Sequence, residues 1–143
     1  MIKIVLAGEP IGKGRPRMAK TTGHVYTPPR TASYENRLAW AAQTEMKGRK
    51  LMDGPLDVSI RVYLGIPASM TKVKRALAQA GYAWPTKKPD YDNVAKILDA
   101  LNKVVWLDDA QVVRCLVEKH WSDQPRLEII ITQRLTTCND DVF

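Results

Sequence analysis

Leu56-Asp57-Val58-Ser59-Ile60-Arg61-Val62-Tyr63-Leu64-Gly65-Ile66 alternates apolar with mostly polar side chains without a break, and Pro67 follows. A strict period of two buries one face of a β-strand and wets the other, so this stretch is the clearest strand in the chain. Residues 2–7 read as a first strand. Downstream, residues 111–120 alternate again, with Val113, Cys115 and Val117 opposite Val112, Arg114 and Leu116. Residues 126–133 form a last strand with Leu127, Ile129 and Ile131 on one side. The turn Ser122-Asp123-Gln124-Pro125 predicts that these last two are neighbours in an antiparallel pair. Between the strands, Thr31 or Ser33 caps a helix running to about Lys47, with Tyr34, Leu38, Ala42 and Met46 on its buried stripe. Trp40 lies off that stripe. Ser69 caps a shorter helix over residues 70–80 that Gly81 ends. The expected fold is α/β: a compact two-layer domain with a mixed sheet of about four strands and packed helices.

The chain of 143 residues fits one domain over residues 1–134, followed by a polar tail at 135–143. No apolar run reaches the length of a membrane span, and residues 2–6 are too short for a signal segment. Cys115 and Cys138 make no disulfide framework and read as reduced thiols of a cytoplasmic protein. Lysine and arginine number 22 against 15 acids, a net charge of +7 that favours a polyanionic partner. Residues 1–30 carry Lys3, Lys13, Arg15, Arg17, Lys20 and Arg30 against Glu9 alone. Lys13, Arg15, Arg17 and Lys20 fall in a long segment rich in glycine and proline, suited to contacts with DNA phosphates that ignore sequence. Its Gly12-Lys13-Gly14 lacks the spacing of a nucleotide-binding phosphate loop. Lys87 and Lys88 add a second basic site.

Against this basic background, five of the acids fall between Asp90 and Asp109. A hard divalent cation explains such a concentration, because Mg²⁺ takes oxygen ligands and needs only one or two carboxylates beside water and phosphate. Pro89 keeps Lys88 out of the helical region. Asp92 or Asn93 then caps a helix carrying Val94, Ile97, Leu98 and Leu101 on its apolar face. Asp90 and Asp92 are expected on extended backbone ahead of that helix, pointing to one side, with Lys96 a turn beyond. Asp108-Asp109 follows the apolar stretch Val104-Val105-Trp106-Leu107, and a return of the chain there brings one of the pair back toward the first aspartates.

The run Lys-Pro-Asp-Tyr-Asp-Asn-x-x-Lys-x-x-x-Asp-Ala-Leu-Asn at residues 88–102, with Val-Trp-Leu-Asp-Asp-Ala-Gln-Val at 105–112, closely resembles the RusA family of Holliday-junction resolvases. Gly12-Lys13-Gly14-Arg15-Pro16-Arg17 with Tyr26-Thr27-Pro28 is similar to the basic N-terminal segment of phage-type members. The resemblance spans most of residues 2–131. It implies a RusA-like fold and a Mg²⁺-dependent endodeoxyribonuclease, with Mn²⁺ as the alternative metal. That enzyme resolves four-way DNA junctions by paired symmetric nicks in recombination and repair. By match to the family's metal-binding aspartates, Asp90, Asp92 and Asp109 are ligands, with Asp108 the rival to Asp109, and Lys96 matches a lysine needed for cleavage. Asp99 is expected on the helix surface or behind the ligands. A homodimer is implied, since a twofold pair of sites meets two equivalent strands. Lys87-Lys88-Pro89 stands where some members carry several arginines, so the local charge is lower. Two alternatives compete: a non-catalytic DNA-binding module, and a metal-dependent nuclease acting on other branched or flapped DNA.

Overall fold

The structure, a computed structural model, describes residues 1–135. Cys138 and all but the first residue of the expected tail lie outside them. Among the described residues no helix is long and apolar enough to cross a membrane.

Strand β1 (Ile2–Ala7) opens the chain and a two-stranded hairpin, β2 (Arg17–Met18) and β3 (Val25–Tyr26), follows. Helix α1 (Pro29–Met46), strand β4 (Leu56–Gly65) and helix α2 (Lys72–Gln79) come next. A short helix α3 (Tyr91–Ala95) runs directly into a 3₁₀ turn at Lys96–Leu101. A second 3₁₀ turn (Asp109–Gln111) leads into β5 (Val112–Ser122), and β6 (Arg126–Gln133) closes the sheet. The order across the mixed four-stranded sheet is β1-β6-β4-β5, with β4 antiparallel to β6 and parallel to β5. The fold class and all four expected strands are therefore present.

The expected pairing of the last two strands is not: β4 lies between β5 and β6. The most regular strand thereby has both of its hydrogen-bonding edges satisfied, which an edge position would leave half open. The connection at residues 123–125 must then cross two strand spacings, about 10 Å, within reach of so short a segment in extended form. It passes over the end of β4 at Gly65, where a Cβ would lie 3.1 Å from the Pro125 ring and 3.0 Å from the Glu9 carboxylate. The Gly65 N–H donates to that carboxylate at 3.1 Å.

One face of the sheet carries the core. Leu56, Val58, Ile60, Val62 and Leu64 of β4 meet Ile2, Ile4 and Leu6 of β1 and Leu127, Ile129 and Ile131 of β6, all buried. Tyr34, Leu38, Ala42 and Met46 pack on them from α1, as its periodicity predicts, and Trp40 is exposed. The start of α1 departs from expectation. Pro29 occupies its first turn, where a preset φ and a missing N–H cost nothing, so neither Thr31 nor Ser33 is the cap. Thr31 is buried inside the helix and its hydroxyl accepts the Gly14 N–H at 3.0 Å. Lys47 (φ 50°) and Gly48 (φ 74°) end the helix in the left-handed region. Thr71, two residues beyond Ser69, caps α2 by accepting from the Lys74 N–H. Strand β5 is an edge strand with mostly exposed or half-buried residues, and its Cys115 is an exposed free thiol.

Candidate active site

The acidic segment folds in three steps. Asp90 is the extended N-cap of α3 (φ −71°, ψ 145°), yet its side chain makes no capping hydrogen bond and stays available. Asp92 lies inside the first turn of α3, not on the extended backbone ahead of it, so the two aspartates do not share one strand face. The reason is that the helix begins at Tyr91, directly after Pro89-Asp90. Lys96 sits one turn on, with Nζ 4.0 Å from Asp92 Oδ2 and both groups largely exposed. Val94, Ile97, Leu98 and Leu101 are buried as the periodicity predicts. From Lys96 the helix tightens to 3₁₀ form, in which residues three apart eclipse, so Lys96 and Asp99 face the same way.

The chain then turns back. Lys103 adopts φ 65°, and its N–H donates to the Trp106 carbonyl at 2.6 Å. Trp106 is fully buried, and its Nε1–H donates to Asn102 Oδ1 at 2.7 Å. This anchored indole aims the next residues. Asp108 is spent on local structure: its Oδ1 accepts the Ala110 N–H at 3.0 Å, while Gln111 Oε1 accepts the Leu107 N–H at 3.0 Å. The Gln111 amide also donates to the Met52 and Gly54 carbonyls, tying the turn to the connection before β4. Asp109, unlike Asp108, lines a cleft of about 340 Å³ with Asn93, Lys96 and Asp99. The Ala110 N–H holds the Asp108 carboxyl below its usual range, and the adjacent Asp108 carboxylate pushes the Asp109 carboxyl above it. Geometry thus separates the two adjacent acids that sequence spacing leaves equivalent.

A second cleft, about 380 Å³, holds Asp90 with Lys87, Lys88 and Arg30. Lys13, Gly14 and Asn93 line both clefts and form the wall between them. A larger groove of about 710 Å³ is lined by Leu6 and residues of α1, Trp40 among them, and Arg37 is the only charged residue lining it among the described residues. Among the described residues no three His, Cys, Asp or Glu side chains converge closely enough to hold a cation by themselves.

The basic residues separate as well. Arg15 lines the Asp109 cleft and is exposed, while Arg17 and Lys20 stand exposed on the β2–β3 hairpin. That hairpin gives local order to a segment expected to be irregular. Lys88 is exposed, and Lys87 places Nζ 5.3 Å over the Trp121 ring. Lys13 turns inward: it bonds Asp99 Oδ2 and lies 3.6 Å from Glu35 Oε1. Glu35 escapes sequence reasoning because it sits one residue past the apolar stripe of α1, where a surface glutamate is ordinary. Asp99 is legible only as a helix-face residue until the 3₁₀ turn and Lys13 are seen.

Comparisons with known proteins cover nearly all of this architecture. The "Uncharacterized protein YqaN" of Bacillus subtilis (strain 168) is 35% identical over 137 residues, which is 92% of this chain and 96% of that protein. The family profile described as "Endodeoxyribonuclease RusA" matches residues 7–132, a span that runs from the last residue of β1 through α1 and the acidic segment to all but the last residue of β6. The chain belongs to the RusA endodeoxyribonuclease family.

Proposed function

We propose that this protein is a Mg²⁺-dependent endonuclease that resolves four-way DNA junctions by paired symmetric nicks, acting as a cytoplasmic homodimer built from one domain per chain. The observation that carries the reading is the split between Asp108 and Asp109: one carboxylate is consumed by a cap, and the other is delivered into a cleft beside Lys96. The donor set fits a hard cation. Asp90, Asp92 and Asp109 offer carboxylate oxygens free of capping bonds, and among the described residues no histidine or cysteine lines either cleft. These three residues would share Mg²⁺, with Mn²⁺ as a substitute, and because they do not converge on one point by themselves, water and phosphate oxygens would complete the shell. When bound, the cation supplies an activated water and offsets charge on the phosphate.

The chain's own residues do the rest. Lys96, exposed and tethered to Asp92, is placed to face a phosphate oxygen as negative charge builds on it. Asp108 holds the 3₁₀ turn so that Asp109 keeps its direction. Arg15, Lys87 and Lys88 line the clefts, Arg17 and Lys20 stand exposed on the hairpin, and together they supply sequence-independent attraction to the DNA backbone. Two sites related by a twofold axis match two equivalent strands of a junction.

The test is cutting of a labelled four-way junction, with duplex and flap controls, in Mg²⁺ and in chelator. Paired nicks that need Mg²⁺ are expected. Asp109→Asn should cut at least about 100-fold more slowly, the scale of losing one group that stabilises the transition state. Asp108→Asn should cut within a few-fold of the parent, because asparagine caps as well as aspartate. Equal loss in both variants sinks the assignment of roles. Binding without nicks leaves a DNA-binding module, and equal cutting of flaps removes the junction as the preferred substrate.

A further inference from the structure

Residues 12–14 form a strap laid across the acidic segment, fixed at three points. The Lys13 N–H donates to the Asn93 carbonyl at 2.8 Å, and the Gly14 N–H donates to Thr31 Oγ1 at 3.0 Å. Gly12 packs so closely that a Cβ there would lie 2.9 Å from Asn93 Cβ. From this held backbone the Lys13 side chain runs between α1 and the 3₁₀ turn. There a single ammonium, 23% exposed, joins Glu35 of α1 to Asp99. Asp99 raises the Lys13 pKa, and burial raises that of Glu35.

Glu35 Oε1 and Asp99 Oδ1 are buried and have no hydrogen-bond partner among the described residues, so Lys13 is the cation that makes this pair of carboxylates tolerable. Asp99 lines the same cleft as Asp109 and Lys96. Arg15, Arg17 and Lys20 make no ion pair among the described residues, in keeping with groups left open to solvent.

We propose that Lys13 is a positioning residue whose bridge to Glu35 and Asp99 locks the strap and the acidic segment together, and that it makes no contact with a DNA phosphate. This rests on the reading of the Asp109 cleft as the nuclease site. The bridge fixes the back wall of that cleft while the exposed cations meet the DNA.

The experiment compares Lys13→Met, Lys13→Arg and Arg17→Gln with the parent. Junction affinity is measured against salt in chelator, where no cutting occurs, and kcat and KM are measured in Mg²⁺. For Lys13→Met the expected slope of log affinity against log salt equals that of the parent. Its kcat falls about tenfold or more at nearly constant KM, and Lys13→Arg recovers most of the loss. Arg17→Gln flattens the slope by about 0.9, the value for one phosphate contact. A slope flattened by the same amount in Lys13→Met, with KM raised and kcat kept, overturns the proposal. If Lys13→Met does not fold, Glu35→Gln reads the same bridge: lowered kcat with an unchanged slope supports it, and unchanged kcat overturns it. If the parent makes no metal-dependent nicks, the nuclease reading fails instead. The slope alone then decides whether Lys13 touches DNA.

Discussion

Replacing Trp106 by phenylalanine tests whether a buried indole sets the position of Asp109. Trp106 is fully buried and its only polar atom donates to Asn102 Oδ1 at 2.7 Å. Phenylalanine removes that hydrogen bond, worth about 1 kcal/mol net. It also vacates roughly 40 Å³, which at about 24 cal/mol per Å³ of residual cavity adds about 1 kcal/mol. The expected loss is therefore about 2 kcal/mol, and Trp106→Ala should lose about 3–5 kcal/mol. Against a total stability of roughly 5–15 kcal/mol for such a domain, Trp106→Phe should still fold. The assay is equilibrium urea unfolding followed by far-UV circular dichroism, run beside Asn102→Ala and the double variant. The cycle should return a coupling of about 1 kcal/mol, since each single change removes the same bond. Junction cutting by folded Trp106→Phe should fall as well, because Asp109 hangs three residues beyond the anchor. A stability change under about 0.5 kcal/mol with parental cutting would refute the argument.

Two further predictions follow from groups held out of water or out of room. The Tyr34 phenol is 4% exposed, and burial pushes its pKa up from 10.0 to about 12. The folded state then keeps a proton that the unfolded chain releases, so stability falls as pH rises through this window, by about 3 kcal/mol in all. Denaturant unfolding across that range should show the decline and Tyr34→Phe should reduce it markedly, leaving the part due to Lys13, whose pKa Asp99 also raises; a flat profile in the parent contradicts the assignment. Gly12→Ala places a Cβ 3.2 Å from the Asn93 carbonyl carbon and from Pro89 Cβ. Overpacking of this kind costs about 1–3 kcal/mol, and the strap shift should slow cutting. Parental thermal stability and rate in this variant would show that the strap is looser than described.

Local patterns carry much of the fold. The alternation at β4 and the stripe Tyr34, Leu38, Ala42, Met46 each arise from the geometry of one element, so composition along the chain is enough to reveal them. The pairing of β5 and β6 is different. A short turn between two strands favours a hairpin, and only competition for the centre of the sheet, with Gly65 leaving room for Pro125, puts β4 between them. The caps of α1 and α2 likewise moved by a few residues, because Pro29 and Thr71 supply competing starts close to the expected ones.

The same division holds at the site. The density of carboxylates in a basic chain singled out Asp90, Asp92, Lys96 and the pair Asp108-Asp109, and the residue-by-residue resemblance to a nuclease family sharpened that choice; the structure sets Asp90 in one cleft and Lys96 and Asp109 in the next. Which acid of the pair enters the cleft was not, since neighbours in sequence point apart and the choice depends on a cap to Ala110 and on the buried Trp106. Nor was the inward turn of Lys13. On the sequence it is one cation among four in a glycine-bearing segment. Its role is decided by Glu35 and Asp99, 22 and 86 residues away, which only the tertiary fold brings to one ammonium. The sequence by itself determined the elements and the chemistry available to them, because those depend on neighbours along the chain. The tertiary structure decided which groups meet, because burial and charge pairing act through space.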